Sequence, residues 1–370
     1  MSLSHEQAML LAIEEGQKGW GFVSPNPAVG CVILDSSNNL LSKGYHKKFG
    51  GPHAEINALN AIKNKSLLKE ATVYVTLEPC AHEGKTPSCA LELVNYPIKK
   101  IIYGITDPNP LVAGKGHEIL SKSNIQTHCF SDLSNSDSVN VLLEELCETF
   151  LYNINQKKAF IALKVATSLD GKIALENGES QWITNEHSRY YVHFLRGKYD
   201  AIIVGRGTLE KDNPKLNIRH EKYANKDIKI VILDPQGRSV NFLPQSNINK
   251  LHNKNNIFII CDKKISSTDF NTIYCPMEKS SFNLAALQKI LYENHIYSAF
   301  VEGGNFVYSE FLKQKTFNTL YHFTAPKILG AGLGWSDLLK LKSLDQSILL
   351  KKQSQMEFKE DSLSTYVLNL

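Results

Sequence analysis

The chain has 370 residues, of which 42% are hydrophobic and 21% charged, and its formal net charge is +4. That length suits two domains, each long enough to bury a core of its own, and the composition excludes a disordered or fibrous chain. So small a charge excess excludes the broad basic field of a nucleic-acid-binding protein, although a phosphate pocket needs only a few cations and would not show in the total.

Ser4 is placed to cap a helix running to about Lys18, with Ala8, Leu10, Leu11 and Ala12 on its apolar face. The apolar run in this helix is too short for a signal peptide and is flanked by glutamates. No stretch of the chain approaches the ~18 apolar residues of a membrane span. Seven cysteines, an odd number without framework spacing, point to a reducing compartment, so a cytosolic protein is expected. Val29 to Asp35 and Leu40 to Tyr45 read as a hairpin across the polar turn Ser36-Ser37-Asn38-Asn39.

His53-Ala54-Glu55 then opens a helix whose apolar positions include Ile56, Leu59 and Ile62. Strand Thr72 to Thr76 leads to Pro79-Cys80, and Cys89 follows after eight residues. One imidazole and two thiolates suit zinc, and three protein ligands leave the fourth tetrahedral position open, as a catalytic zinc requires. Glu55 falls in the first helical turn, beside the metal and outside the ligand set, where a carboxylate can move protons between water and a leaving group. A helix from about Cys89, strand Lys100 to Ile105, a helix after Gly116 and strand Ile125 to Cys129 complete an alternating series. An α/β sandwich with a largely parallel sheet is therefore expected. Cys31, Cys129, Cys147, Cys261 and Cys275 read as core or inert. A helix from Val141 to about Leu151 closes the first domain, taken as 1–150, with the boundary near Asn155 and a second domain over 158–370.

The second series runs through strands Phe160 to Ala166, Asp200 to Gly205, Ile228 to Asp234, Asn256 to Cys261, Ser298 to Gly304, Thr319 to Thr324 and Ser364 to Leu370. Helices are expected at Asn283 to Asn294 and at Asn305 to Lys313, which gives a doubly wound sheet with hairpin-like additions at its end. Two strand ends run into glycine, at Gly205-Arg206-Gly207-Thr208 and at Glu302-Gly303-Gly304, where backbone amides can approach phosphate. No Gly-x-Gly-x-x-Gly opens the first helix, so a standard Rossmann site is not supported.

His-x-Glu followed by Pro-Cys and a second Cys resembles the signature of zinc-dependent base deaminases, which has two residues between the thiols. The eight-residue loop in "TLEPCAHEGKTPSC", with "SPNPAVG", "GYH" and "DPNP", resembles the deaminase half of the bifunctional riboflavin-pathway deaminase/reductase family. The second half carries "KVATSLDGKIA", "ESQWIT", "GRGTLEKDNPKLNIR" and "VEGGNFVYSEFL", which look like that family's reductase half. Two departures, Asn318-Thr319 where the family commonly has Asp-Glu and Cys147 where it has Asn, touch none of the proposed chemistry.

The resemblance implies a cytidine-deaminase-like α/β/α sandwich joined to a dihydrofolate-reductase-like α/β domain, with zinc and NADPH as cofactors. Catalytic roles would fall to Glu55, Lys164 and Glu302, and metal ligation to His53, Cys80 and Cys89. The cofactor would meet Ala166, Trp182, Thr208, Asp212 and the segment Gly304, Asn305, Phe306. A phosphoribosyl pyrimidine would be held in the first domain by Asn26, His46, His82, Lys85, Thr86, Asp107 and Asn109. In the second it would meet Ser180, Arg196, Leu216, Arg219 and Glu302. Neither a nucleic-acid nor a membrane partner is expected, and a homo-oligomer is. The alternative is a nucleic-acid or nucleoside base deaminase with an accessory domain, which would need a basic channel interleaved with aromatics.

Overall fold

A computed structural model describes residues 2–81, 87–109, 114–134, 136–265 and 269–369. The chain forms two compact units, Met1–Lys157 and Lys158–Leu370. In the first unit the elements are α1 (His5–Gln17), β1 (Gly30–Leu34), β2 (Leu40–Tyr45), α2 (Ala54–Ala61), β3 (Ala71–Leu77), α3 (Cys89–Leu93), β4 (Ile98–Ile105), α4 (Lys115–Lys122), β5 (Gln126–Cys129) and α5 (Asp137–Gln156).

Ser4 and Gln7 start α1 with a reciprocal capping box. The five strands order as β2-β1-β3-β4-β5. Because β1 pairs antiparallel with both β2 and β3, and only β3–β4 and β4–β5 are parallel, the sheet is mixed and not largely parallel. The hairpin at the amino end fixes this: a short turn can return a strand only antiparallel.

Strand periodicity divides the side chains between two faces. Cys31, Ile33, Val73, Val75 and Ile101 pack under α2, α3 and α4, while Val32, Leu34, Tyr74 and Ile102 pack under α1 and α5. The result is an α/β/α sandwich. Helix α5 has 20 residues and extends beyond the expected span at both ends.

The second unit contains β6 (Phe160–Ser168), β7 (Lys172–Leu175), α6 (Glu186–Lys198), β8 (Ala201–Gly205), α7 (Arg206–Asp212), β9 (Lys229–Leu233), α8 (Asn247–Leu251), β10 (Ile257–Cys261), β11 (Asn271–Tyr274), β12 (Met277–Glu278) and β13 (Ser281–Phe282). It continues through α9 (Leu284–Glu293), β14 (Ser298–Val301), α10 (Asn305–Gln314), β15 (Thr319–Ala325), β16 (Gly332–Gly334), β17 (Leu350–Phe358) and β18 (Asp361–Leu368).

Nine strands form one sheet, ordered β11-β10-β9-β8-β14-β6-β15-β18-β17. Its pairs are parallel from β11 across to β15, and β15–β18 and β18–β17 are antiparallel. The hairpin β17–β18 is the expected terminal addition, and β17 forms the sheet's outer edge. Leu163, Val165, Ile203, Val231, Ala299 and Val301 face α9 and α10. Ile202, Val204, Ile230, Ile232 and Ile259 face Leu209, Leu243 and Ile248 on the other side. Asn318, one of the two departures from the family pattern, accepts the Ile161 N–H at 2.8 Å and fastens the start of β15 to β6. Among the described residues no helix is long and apolar enough to cross a membrane.

One contact sets the first site directly. Helix α2 lies so close on β2 that a Cβ on Gly44 would stand 2.3 Å from the Ala58 nitrogen and 2.5 Å from the Ala54 oxygen. Only glycine permits that approach. Gly44→Ala is expected to destabilise the first unit by about 2–3 kcal/mol and to lower its zinc content, read by urea titration and metal analysis.

Candidate active sites

In the first unit the metal-ligand candidates come from two strand-to-helix junctions, His53 from β2–α2 and Cys80 with Cys89 from β3–α3. His53 is the N-cap residue of α2 but makes no side-chain cap bond, which leaves its imidazole to the thiols. Its Nδ1 lies 3.5 Å from Cys80 Sγ and 3.3 Å from Cys89 Sγ, and all three donor atoms fall within 4.8 Å of one another. Tetrahedral zinc with ordinary bond lengths separates its nitrogen and sulfur ligands by about 3.6 Å. The donor set and its spacing therefore fit zinc.

Cys80 is tied directly to the residues at the far end of the eight-residue spacing. The Cys80 carbonyl accepts from Ser88 Oγ at 2.8 Å and from the Ala90 N–H at 3.1 Å, and its sulfur accepts the Cys89 N–H at 3.3 Å. Hydrogen bonding from Cys89, supported by His53, holds the Cys80 thiol down to about 4 against the opposing effect of burial. A thiolate is the form that binds metal.

Glu55 is 3% exposed, and burial raises its carboxyl above the usual range, with His53 opposing. His46 meets the His53 ring edge-on, with centroids 5.2 Å apart. With His46 Nδ1–H donating to the Pro52 carbonyl at 3.1 Å, its Nε2 accepts from the Asn26 amide at 3.3 Å, so Asn26 and His46 stand together beside the metal ligands. Asp107 is buried, accepts the Asn109 N–H at 2.9 Å, and is raised by burial. His82, Lys85 and Thr86 lie outside the described residues.

Sequence reasoning did not single out Glu78. Its buried carboxylate receives the N–H groups of Asp107, Gly114 and His117 at 3.3, 3.3 and 3.4 Å, which ties the "DPNP" segment to the strand that delivers Cys80. The available signal was a glutamate fixed two residues before a ligand cysteine.

In the second unit a cleft of 980 Å³ opens at the carboxyl ends of β8 and β14, beside Lys164 and Ala166 of β6. Its lining brings together Lys164, Ala166, Ser180, Trp182, Arg196, Thr208, Asp212, Leu216, Arg219, Glu302, Gly304, Asn305 and Phe306. That volume lies at the top of the range for small-molecule pockets and suits more than one ligand. A Cβ on Gly207 or Gly304 would meet nothing within 4 Å, so the backbone at both strand ends is open to a ligand. Gly304 is also the N-cap of α10 and provides no side chain to cap it, which leaves amide donors for the phosphates of a dinucleotide.

Glu302 continues the β14 pairing through its N–H to the Ile203 carbonyl at 2.9 Å. Its carboxylate takes a bidentate pair from Arg196, with Nε to Oε1 at 2.5 Å and Nη2 to Oε2 at 3.0 Å. The pair is largely buried, at 14% and 13% side-chain exposure, and despite burial Arg196 holds the Glu302 carboxyl below its ordinary range. Lys164 stands beside them; burial lowers its ammonium pKa, Arg196 adds to that, and Glu302 opposes it. The Trp182 ring is 60% exposed and lies over the Arg189 guanidinium at 4.4 Å. His193, which sequence reasoning missed, also lines the cleft; it sits one helical turn before Arg196, and that spacing was the signal.

A zinc-dependent deaminase joined to an NADPH-dependent reductase is the class of protein that these two sites and their folds define. Residues 2–105 match the cytidine and deoxycytidylate deaminase zinc-binding region, and residues 159–362 match the RibD C-terminal domain. The riboflavin biosynthesis protein RibD of Aquifex aeolicus is 35% identical over 95% of this chain and 95% of its own, and that of Escherichia coli is 30% identical over 97% and 96%. Among solved structures, a diaminohydroxyphosphoribosylaminopyrimidine deaminase/5-amino-6-(5-phosphoribosylamino)uracil reductase from Thermotoga maritima superposes with a TM-score of 0.85 at 32% identity, covering 98% of each chain. Acinetobacter baumannii RibD gives a TM-score of 0.83 at 31% identity over 99% of each. The chain belongs to the RibD family of bifunctional riboflavin biosynthesis enzymes.

Cys89→Ser is expected to lower zinc affinity by at least the ~10-fold that even an outer-shell change produces, because serine is a poor zinc ligand at neutral pH. Full zinc content in the purified variant, measured by atomic absorption, would remove Cys89 from the ligand set.

Proposed function

We propose that the two domains act in turn on one phosphoribosyl pyrimidine. The first removes an amine hydrolytically from the diaminopyrimidine, and the second reduces its ribosyl group to ribityl. The observation that carries this reading is the pairing, in one chain, of a His/Cys/Cys cluster beside a buried glutamate with a cation-bearing cleft at a parallel strand terminus.

His53, Cys80 and Cys89 would hold zinc, which when bound supplies the Lewis acid that makes water nucleophilic near neutral pH. Glu55 takes a proton from the attacking water and passes it to the departing amine nitrogen, and burial suits its carboxyl to hold that proton in between. Asn26, His46, Asp107 and Asn109 orient the pyrimidine and its sugar; His82, Lys85 and Thr86 belong to the same reading through the family motif, with Lys85 suited to phosphate as a point charge.

In the second domain Ala166, Trp182, Thr208, Asp212, Gly304, Asn305 and Phe306 would hold NADPH, which supplies the hydride. Ser180, Arg196, Leu216, Arg219 and Glu302 hold the deaminated ligand. The Lys164 ammonium would donate its proton to the ring oxygen that the anomeric carbon releases on reduction. Burial lowers the Lys164 ammonium pKa, which favours proton donation, and the Glu302 carboxylate opposes that shift. Seven lysine and arginine residues line the cleft against Asp212, Glu302 and Glu310, and that positive excess suits an anionic ligand.

The reading includes a homo-oligomer, supported by Ile328, Leu344 and Leu349, which are 75%, 89% and 64% exposed. It also includes the cytosol, supported by seven free cysteines. A coupled assay on the diaminopyrimidine ribotide, following ammonia release and NADPH consumption alongside zinc content, tests the whole reading; ammonia from single-stranded DNA cytosine instead would replace it.

Glu55→Gln is expected to keep zinc and fold while slowing ammonia release by ~10²-fold or more, with reduction of pre-deaminated substrate unchanged. Loss of zinc in this variant would show that Glu55 had been misassigned. Arg219→Ala should raise the reductase KM for the ribotide about tenfold with NADPH affinity kept, whereas Lys164→Ala should lower kcat by ~10². Loss of cofactor binding in both would assign them to the NADPH site or to the fold.

A further inference from the structure

His193 belongs to α6 and is 6% exposed. Its Nδ1 lies 3.1 Å from the Asn217 carbonyl, while its Nε2 lies 3.1 Å from Arg219 Nε and 3.0 Å from Arg219 Nη2. Arg196 Nη1 donates to the same Asn217 carbonyl at 2.9 Å.

Each protonation state of the ring can be tried against these partners. With the proton on Nδ1, the ring donates to the carbonyl and offers the Nε2 lone pair to both guanidinium N–H groups. With the proton on Nε2, a donor would face two donors and a lone pair would face the carbonyl oxygen. That form would gain only the Arg219 backbone N–H at 3.2 Å and Arg196 Nη1 at 3.4 Å on Nδ1. The doubly protonated ring would press a cation between Arg196 and Arg219. Only the first arrangement gives each ring nitrogen a complementary partner, the Asn217 main-chain carbonyl for Nδ1–H and the Arg219 guanidinium for Nε2.

Burial, Arg196 and Arg219 together push the imidazole down to about 4, with Glu302 and the Asn217 carbonyl opposing. A neutral ring is thus held between two permanently charged ones. Two of the Arg219 side-chain nitrogens point to His193, so the guanidinium plane is fixed and Nη1 is the nitrogen left for the cleft.

We propose that His193 is a positioning residue of the reductase: its neutral imidazole grips Arg219 through Nε2 and sets the angle at which the guanidinium meets the phosphate or sugar hydroxyls of the ligand. This rests on the reading of Arg219 as a ligand-binding residue. Freed from His193, the side chain would sample many rotamers and bind only in a fraction of them.

The test uses the full chain with zinc and NADPH, the deaminated substrate, and inorganic phosphate as a competing anion. His193→Leu is expected to raise the substrate KM and the phosphate inhibition constant by about tenfold, leaving NADPH affinity unchanged and kcat within about threefold. His193→Gln should restore most of the loss, because its carbonyl can accept from Arg219 while its amide donates to Asn217. In the double variant with Arg219→Ala, the leucine should add nothing to the arginine's effect.

Additive penalties, or a glutamine variant no better than leucine, would overturn the proposal. An Arg219→Ala variant with unchanged KM would instead overturn the underlying reading. Independently of any leucine variant, nitrogen NMR of histidine-labelled enzyme, assigned by His193→Gln, should show a neutral Nδ1–H ring at pH 6; an imidazolium there would also overturn it.

Discussion

Where a parallel strand ends, its backbone stops pairing with its neighbours and becomes available to ligands and side chains. Both units place acidic groups at such an end. Glu78 follows β3 and gathers three N–H groups; Glu302 follows β14 and gathers Arg196. A buried carboxylate without such partners would be expensive, so each of these acids requires the elements around it to converge. The candidate ligand-binding residues follow close behind along the chain: Cys80 after Glu78, and Gly303-Gly304 after Glu302. The sheet ends dictate the acids' partners, and the partners dictate the sites.

The deaminase centre was the most legible part of the sequence because its information is local. His53 and Glu55 are two residues apart at a helix start, and Cys80 and Cys89 bracket one loop, so residue type and spacing nearly suffice. Strand and helix order in both units could be read from apolar periodicity for the same reason. The reversal of β1 against β3 was not legible, since periodicity says which residues are buried but not which way a neighbour runs. Helix α5 begins in the polar stretch Asp137-Ser138, where tertiary packing on α1 decides what propensity does not. Glu78 and His193 escaped because their roles consist of contacts with residues 29 or more and 24 or more positions away.

Net charge proved a poor guide to the chemistry of either site. A chain at +4 nevertheless gathers Lys164 and Arg196 about the buried Glu302 carboxylate, with a histidine held between Arg196 and Arg219. Such a cluster survives burial because Arg196 is bidentate and planar on Glu302. Charge at a site is set by which residues the fold brings together, and the remaining charged residues spread over the surface cancel in the sum.

At one margin of the nine-stranded sheet, β17 (Leu350–Phe358) pairs among the described residues only with β18, which leaves its other backbone edge without a strand partner there. A bare edge of that length is a template on which a stray strand could add, the route by which sheets grow into aggregates. Lys351 and Lys352 near its start and Glu357 near its end are exposed. An incoming strand must bring matching charges or strip these of water. The strand that completes the sheet thereby also limits its growth through the solvation of its charges, and that protection weakens as salt screens them.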